Sequence, residues 1–362
     1  MPIESVSPQS RQTRHPVAAR RILRLALGTA LCLLMAQIVS WPLAFIAPIL
    51  TMFILALPFP APSLKQGLIF IVALLLPMVL GSALLPFLHH ARWAGILLVA
   101  LALFYSFYFT ARGGSPILGT FITVGLTLVV TVGSVNPTIL TMLIKGLGVS
   151  ALFAMLIVWL APALLPELPL QPGRKKPPPP PAVSPGQARH NAYRSLLIVL
   201  PLALVFLFLN GSPSYTVVMI KVAALGQQAS SDKSREMGVD LLKSTLWGGL
   251  GAVIAWQLLS IWHSLALYTL LVGLAGLIFG RLIFQGSSAH PRFSMASYAY
   301  LTMLVVLGPA LATNSGDAAS AFYSRLALIL AVGLYGTAAV AIFDAFRPAK
   351  GRRASPDSLE GT

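Results

Sequence analysis

Long apolar runs, separated by short basic connections, occupy most of this sequence and limit what the chain can fold into. Hydrophobic residues make up 57% of the 362 residues and charged residues only 9%, against about a quarter in soluble domains. Too few polar side chains remain to cover a water-soluble surface of this size. The sequence therefore predicts a polytopic membrane protein.

The apolar runs are solid and lack the alternation of strands, which favours transmembrane helices over a barrel. We predict an all-α fold with about twelve spans. Two runs, Leu43–Leu57 and Tyr215–Leu225, are shorter than the ~20 residues that a crossing helix needs. The predicted spans begin near Ile22, Leu43, Leu64, Trp93, Pro116, Met142, Ser195, Ser214, Asp240, Ser264, Phe293 and Ala321.

The positions of the cations predict how the chain is oriented in the membrane. With the N-terminus in the cytoplasm, about 21 of the 25 Lys and Arg residues fall on the inner side. The outer side keeps Arg92, Lys145 and Arg325, and Lys221 lies within a span. We therefore expect both termini to be cytoplasmic. Because topology accounts for the net charge of +16, we expect no nucleic-acid partner.

A Pro-rich segment, which contains RKKPPPPP, divides the chain into two halves. Proline runs adopt extended polyproline geometry and cannot cross lipid. We interpret the segment as a cytoplasmic spacer, the alternative being a ligand for partner domains. The predicted organisation is a basic tail (1–21), a six-helix repeat (22–165), the linker (166–192), a second six-helix repeat (193–346) and a basic tail (347–362).

The two halves carry similar landmarks. Arg24 and Arg194 each begin an apolar run, and Trp93 and Trp262 each begin another, at an offset of about 170 residues. An even number of spans in each half predicts two parallel bundles, related by an axis along the membrane normal. Such a pair of bundles encloses a natural binding site at its interface.

Two segments of the sequence carry a resemblance to a known family. They are WPLAFIAPILTMFILALPFPAPSLKQG in the first half and SYTVVMIKVAALGQQASSDKSREMGVDLLKSTLWGGLGA in the second. Both resemble the fusaric-acid-resistance-like superfamily of bacterial inner-membrane proteins, and the short linker and tails resemble a compact subgroup related to the aromatic acid exporters. The resemblance implies an inner-membrane location and efflux of small organic anions. It also implies a periplasmic membrane-fusion protein and an outer-membrane channel as partners.

Lys221 lies in the apolar run YTVVMIKVAALG. A lysine at the centre of a membrane helix costs about 2.5–3.5 kcal/mol on insertion scales. Three interpretations stay open: a contact for an anionic substrate, a side chain that reaches the cytoplasmic headgroups, or a partner for free carbonyls of a broken helix. The corresponding place in the first half lies near Leu50 and Thr51, which carry no charge.

Lys145 and Arg325 occupy similar places near the outer ends of the sixth and twelfth predicted spans. They are interpreted either as outer-mouth cations that attract or release an anion, or as contacts to outer headgroups. Tyr105, Tyr108 and Tyr298 lie in aromatic-rich parts of two spans. Their rings either stack on an aromatic substrate or belong to an interfacial belt and helix packing.

Carboxylates are scarce, and the sequence places none in the middle of a predicted span. Asp240 opens the ninth span and Asp344 closes the twelfth, so they are the candidates for proton coupling. The alternative is that both lie in cytoplasmic headgroups. Glycine spacings, Gly276 with Gly280 among them, predict close helix contacts.

Three classes of function follow from these patterns. The first is a secondary transporter that exports organic anions, the second a passive anion channel, and the third a scaffold in an envelope complex. We expect no enzymatic activity and no cofactor, because the sequence shows no P-loop, no metal-ligand spacing and no pairing of a nucleophile with a base. A homo-oligomer stays open.

Overall fold

A computed structural model of the chain shows an all-α architecture, as the sequence predicts. It describes residues 14–41, 43–57, 61–134, 136–166, 184–208, 234–285, 291–311 and 318–345. No strand occurs within these residues. The predictions for Lys221, for residues 167–183 of the linker and for most of both tails lie outside the described residues.

Seven helical stretches in the described part of the chain are long and apolar enough to cross a membrane. This confirms a polytopic membrane fold, while the count of twelve spans stays a prediction. The first half contains α1 (Arg14–Val39), α2 (Ile46–Leu55), α3 (Leu64–Ser82), α4 (Leu85–His90), α5 (Arg92–Ala111), α6 (Pro116–Leu128), a π-helical turn (Val129–Gly133) and α7 (Pro137–Leu164). The second half contains α8 (Pro185–Phe208), α9 (Ser234–Ile261), α10 (Leu265–Gln285), α11 (Pro291–Leu311) and α12 (Ala318–Ala345).

Local sequence signals fix several helix ends. Ser63 and Gln66 form a capping box at the start of α3, in which each side chain accepts a hydrogen bond from the other's backbone N–H. Asn136 caps α7 by accepting from the amide of Thr138 at 2.8 Å, and Pro137 occupies the first helical position. These caps satisfy amide groups that a helix would otherwise leave without acceptors.

Proline has different effects at different positions in the spans. Pro77, Pro201 and Pro309 lie inside α3, α8 and α11, where each removes one helical hydrogen bond. Pro48 has no such effect, because it is the third residue of α2. The first four amides of a helix have no helical acceptor, so no bond is lost there.

The two halves are intertwined, and equivalent helices make equivalent contacts. The first helix of the first half, α1, packs along α10 of the second half, while α8 packs along α5. Leu97 of α5 and Leu270 of α10 are 71% and 69% exposed. Leucines that are this exposed indicate that the outward-facing surface of each bundle contacts lipid hydrocarbon.

The contact between α1 and α10 depends on residues without large side chains. A Cβ atom at Gly276 would lie 2.7 Å from Cα of Ala26, and one at Gly280 would lie 3.2 Å from a methyl carbon of Ile22. The backbones therefore approach closely, as the GxxxG spacing predicts. This contact joins the two halves along much of α10.

Arg20 and Leu165 lie at one end of the bundle. We call this the inner end, following the predicted orientation. Trp93 and Trp262, which are 78% and 72% exposed, lie at the ends of α5 and α9 on the opposite, outer side. Exposed tryptophans at one level are typical of a membrane–water interface.

Candidate functional site

The short helix α2 ends inside the bundle. Its ten residues span about 15 Å, half of a bilayer core of about 30 Å. A Cβ atom at Gly28 would lie 2.5 Å from a methyl carbon of Leu55, the last residue of α2. Gly28 is only one turn from Arg24 of the inner end. Ala56 and Leu57, which follow α2, are not helical, and the next helix, α3, begins at Leu64.

Helix α2 is buried between both halves. Its residues from Ile46 to Met52 are all buried, and it packs on α1 and α7 of its own half and on α11 of the other. A Cβ atom at Gly308 of α11 would lie 2.8 Å from Cβ of Phe45. The hydroxyl of Thr51 lies 3.2 Å from Sγ of Cys32. A helix that is both short and enclosed has few lipid contacts, so its position is set by the protein.

The turn that leads into α2 is strained and anchored. Ser40 and Leu43 have φ values of 54° and 64°, in the left-handed region that a residue with a side chain rarely adopts. The indole N–H of Trp41 donates to Oγ of Ser150 at 2.9 Å, and Ser150 donates to the Leu43 carbonyl at 3.2 Å. These two bonds hold the turn against α7.

Arg325 is enclosed in the second half. Only 5% of its surface is exposed, and its Nε and Nη1 atoms are buried with no hydrogen-bond partner among the described residues. It lies seven residues after the start of α12, about 10 Å along that helix. Its helical neighbours Phe322 and Ile329 are both fully buried. The guanidinium thus faces the interior, where an unpaired charge is costly.

The aromatic ring of Phe322 lies close to one turn before Arg325 on the buried face of α12. It stacks on Trp256 of α9 with centroids 4.9 Å apart and an interplanar angle of 8°. One turn further along α12, Leu326 contacts the site of Gly249, where a Cβ atom would lie 3.0 Å from its Cδ1. The helices α9 and α12 therefore run side by side in opposite directions. Their contact places apolar groups around the level of the arginine.

Lys145 does not share the surroundings of Arg325, although the sequence places the two in similar positions. Lys145 is exposed on α7. The buried positions of the two helices match at an offset of 182 residues, since Leu140, Leu143 and Leu147 correspond to Phe322, Arg325 and Ile329. Leu143 is thus the structural counterpart of Arg325. A shift of two residues turns a side chain about 200° around a helix, which explains why only Arg325 faces the core.

The predicted aromatic residues are not brought together. Tyr105 is 61% exposed and Tyr108 is half-buried, and both pack around Phe104, with Tyr108 stacked on it at 6.1 Å. Phe104 also contacts Tyr193 of α8, with centroids 4.7 Å apart. Tyr298 lies on α11, which packs on α9 and α10 rather than on this cluster. The contact of Phe104 with Tyr193 joins α5 and α8 near the inner end, and the roles of Tyr105 and Tyr108 stay predictions.

The predicted coupling carboxylates lie at helix ends. Asp240 is in the second turn of α9, and Asp344 is in the last turn of α12. Their side chains lie outside what the structure describes, as does Lys221. Within the described residues, no group of three or more His, Cys, Asp or Glu side chains is arranged to hold a metal ion.

Two arrangements were not anticipated from the sequence. Arg24 donates from Nε to the Leu165 carbonyl at 2.8 Å and also from Nη2, and Arg20 donates to the Pro166 carbonyl at 3.0 Å. The cations thus bind the carboxyl end of α7, where the helix dipole is negative. In the sequence both arginines are topology signals and Arg24 is also a landmark of the repeat, but neither pattern predicts a contact with α7.

The second unanticipated arrangement joins the halves in the interior. The hydroxyls of Thr29 and Tyr300 lie 2.8 Å apart, and both residues are fully buried. Tyr300 also donates to the Val272 carbonyl at 3.0 Å, and Thr29 lies 2.7 Å from the Leu25 carbonyl. The two hydroxyls therefore connect α1, α10 and α11. The sequence singles out the aromatic-rich stretch that contains Tyr298, but spacing alone does not identify the partner of Tyr300.

Comparison with known protein families gives a match to part of the chain. A family described as "Protein of unknown function (DUF2955)" matches residues 21–161 of the chain. No curated protein and no solved structure matches it. The matched region is less than half of the chain and coincides with the first predicted repeat. It contains all of the buried short helix α2 and most of α1 and α7, so this part of the chain is similar to that family.

Proposed function

We propose that the chain is a secondary transporter of the bacterial inner membrane that exports small organic anions, aromatic carboxylates among them. The observation that carries this proposal is α2, a helix about half as long as a bilayer core is thick and enclosed by both halves. In secondary transporters, discontinuous helices at a repeat interface form substrate sites, because their ends leave backbone groups available for a ligand. A scaffold has no use for such an element.

The distribution of charge supports an anionic substrate. The sequence contains no Asp or Glu between residues 5 and 166, which includes the whole first repeat. The second repeat places Lys221 in an apolar run and Arg325 in the interior. A pathway with cations and without fixed carboxylates favours anions over cations. Lys221, in the run that corresponds to α2, is the proposed contact for the substrate carboxylate.

The resemblance to the fusaric-acid-resistance-like superfamily supplies the rest of the proposal. It adds export as the direction, cytoplasmic termini, and a periplasmic membrane-fusion protein with an outer-membrane channel as partners. Proton coupling is assigned to Asp240 or Asp344, which are the acids nearest to spans. The chain acts as a transporter without an enzymatic step, and assembly into a homo-oligomer is compatible with this role.

Reconstitution in liposomes tests the proposal. Purified protein is given a panel of radiolabelled organic acids, with and without an imposed pH gradient. We expect saturable flux of at least one carboxylate, accelerated by the gradient in the exporting direction. The variants Asp240→Asn and Asp344→Asn separate the two coupling candidates, since one of them is expected to abolish gradient-driven flux and retain substrate binding. No flux of any acid above that of empty liposomes would contradict transport.

A passive anion channel is the second candidate, and the scarcity of carboxylates favours it. A channel needs no titratable group that faces each side in turn, and the first repeat has no acid at all. The same liposomes distinguish the two functions. Strictly downhill flux that is insensitive to the pH gradient in the parent and in both Asn variants would favour the channel.

A further inference from the structure

The burial of Arg325 is not a requirement of the fold. Its counterpart in the first half is Leu143, which is 4% exposed and occupies the same buried face of α7. An apolar side chain therefore serves at this position of the repeat. The second half carries a guanidinium at the position instead, at the cost of burying a charge. Because packing does not require the guanidinium of Arg325 and its burial is costly, its presence indicates a bound ligand.

The hydrogen-bonding capacity of Arg325 is unfilled within the described residues. Nε carries one N–H group and Nη1 carries two, and all three lie buried without an acceptor there. The flanking core residues Phe322 and Ile329 offer no side-chain acceptor, and neither does Trp256, which stacks on Phe322. An acceptor with negatively charged oxygen atoms would satisfy both the charge and these donors.

We propose that Arg325 is an anion-binding site that holds one small carboxylate per chain inside the second repeat. Carboxylate oxygens match the planar guanidinium, which donates from two of its edges. Because Leu143 stands at the equivalent place, the site has no counterpart in the first half, and binding is expected with a stoichiometry of one. The choice of a carboxylate rests on the proposed function, whereas the existence of the site rests on burial and missing acceptors.

Binding to the full-length protein in detergent tests the site without any transport. Sodium acetate and sodium benzoate are titrated at constant ionic strength against sodium chloride, and the shift in thermal unfolding and the calorimetric stoichiometry are measured. We expect the parent to be stabilised by a carboxylate with one site per chain. Arg325→Leu, which copies Leu143, is expected to weaken this binding about ten- to hundredfold. Lys145→Leu is the matched control, because it removes an exposed cation from the equivalent helix, and it is expected to bind as the parent does.

Three results would overturn the proposal. The first is a parent that carboxylates do not stabilise more than chloride does. The second is equal destabilisation of the free protein by Arg325→Leu and by Asp317→Asn, since Asp317 is the acid that directly precedes α12 in the sequence; this would identify a partner within the chain. The third is the loss of one co-purified phospholipid per chain in Arg325→Leu, which would assign the site to a lipid phosphate. Failure of transport in liposomes would leave the binding result standing, so the two proposals fail separately.

Discussion

The hydroxyl of Thr29 on α1 lies 2.8 Å from the hydroxyl of Tyr300 on α11, and this contact connects the two halves of the chain in the apolar interior. Both side chains are fully buried. Buried hydroxyls need partners, because an unsatisfied one costs about 1–3 kcal/mol. The pair therefore contributes to the way the halves are held together.

Tyr300→Phe and Thr29→Val each remove one hydroxyl and keep the size of the side chain. We expect each to lower the free energy of unfolding by about 1–2 kcal/mol in detergent, because the partner hydroxyl loses a hydrogen bond. The double variant is expected to cost less than the sum of the two. Tyr323→Phe is the control, since Tyr323 bonds Gln257 on an exposed surface. Additive losses would show that the two hydroxyls do not interact.

Gly276→Ala tests the close approach of α1 and α10. The new Cβ atom would lie 2.7 Å from Cα of Ala26 and 3.0 Å from the Tyr300 hydroxyl, so one backbone has to move. We expect a loss of about 1–3 kcal/mol in thermal unfolding. Gly273→Ala is the matched control on the same helix, because its Cβ atom would meet Ala30 at an ordinary 3.5 Å. Equal stability of the two variants would contradict the described contact.

Arg24→Met removes the donors that bind the Leu165 carbonyl at the end of α7. We expect a loss of about 1–3 kcal/mol, because the bonds are charge-assisted and partly buried. The linker after Leu165 should also become more sensitive to limited proteolysis. Arg20→Met provides the comparison, since its bond to the Pro166 carbonyl is exposed and exposed charge contacts contribute little. A larger effect of Arg20→Met would contradict this prediction and would show that Arg20, rather than Arg24, holds the end of α7.

The sequence predicted the class of fold but not the geometry of its second span. Apolar length and the shortage of charge identify membrane helices, and the short run from Leu43 to Leu57 indicated an incomplete crossing. How the fold accommodates this short helix depends on tertiary contacts. These are the strained turn at Leu43, its anchor on Ser150, and the enclosing helix α11. The π-helical turn at Val129 likewise leaves no mark in the hydropathy of its run.

The candidate site was likewise predicted from the sequence only in part. Sequence comparison of the halves found both cations of the sixth and twelfth spans, yet it paired Arg325 with Lys145. The structure pairs Arg325 with Leu143, since burial depends on the angle around the helix and two residues change that angle by about 200°. Hydropathy windows average over this angle. They therefore register the presence of a charge without showing which face of the helix carries it.

Lys221→Met tests the substrate contact predicted from the sequence. Loss of the ammonium is expected to weaken the binding of organic acids about ten- to hundredfold, because a desolvated contact to a carboxylate is worth roughly 1.5–3 kcal/mol. Lys221→Arg should keep part of the affinity. Membrane insertion should not suffer, since removal of the charge makes insertion easier. Unchanged binding and transport in Lys221→Met would assign the lysine to the headgroup region.

The central claim is that the chain is a secondary transporter, which needs its two halves to move relative to each other around the substrate site. A cross-link between α2 and α11 tests this requirement most directly. An ideal Cβ atom at Gly308 lies 2.8 Å from Cβ of Phe45, so a cysteine pair needs only a small outward shift to reach the roughly 3.8 Å of a disulfide. The variant Phe45→Cys/Gly308→Cys is built on Cys32→Ala, because Cys32 is the only native cysteine.

Carboxylate flux is then measured in liposomes with the pair reduced, oxidised and reduced again. The reduced protein is the control for the substitutions. The account predicts that oxidation stops flux and that reduction restores it, because an alternating pathway needs α2 and α11 to move relative to each other. Undiminished flux through fully cross-linked protein would contradict the transporter and leave a pathway that stays open, as in a channel.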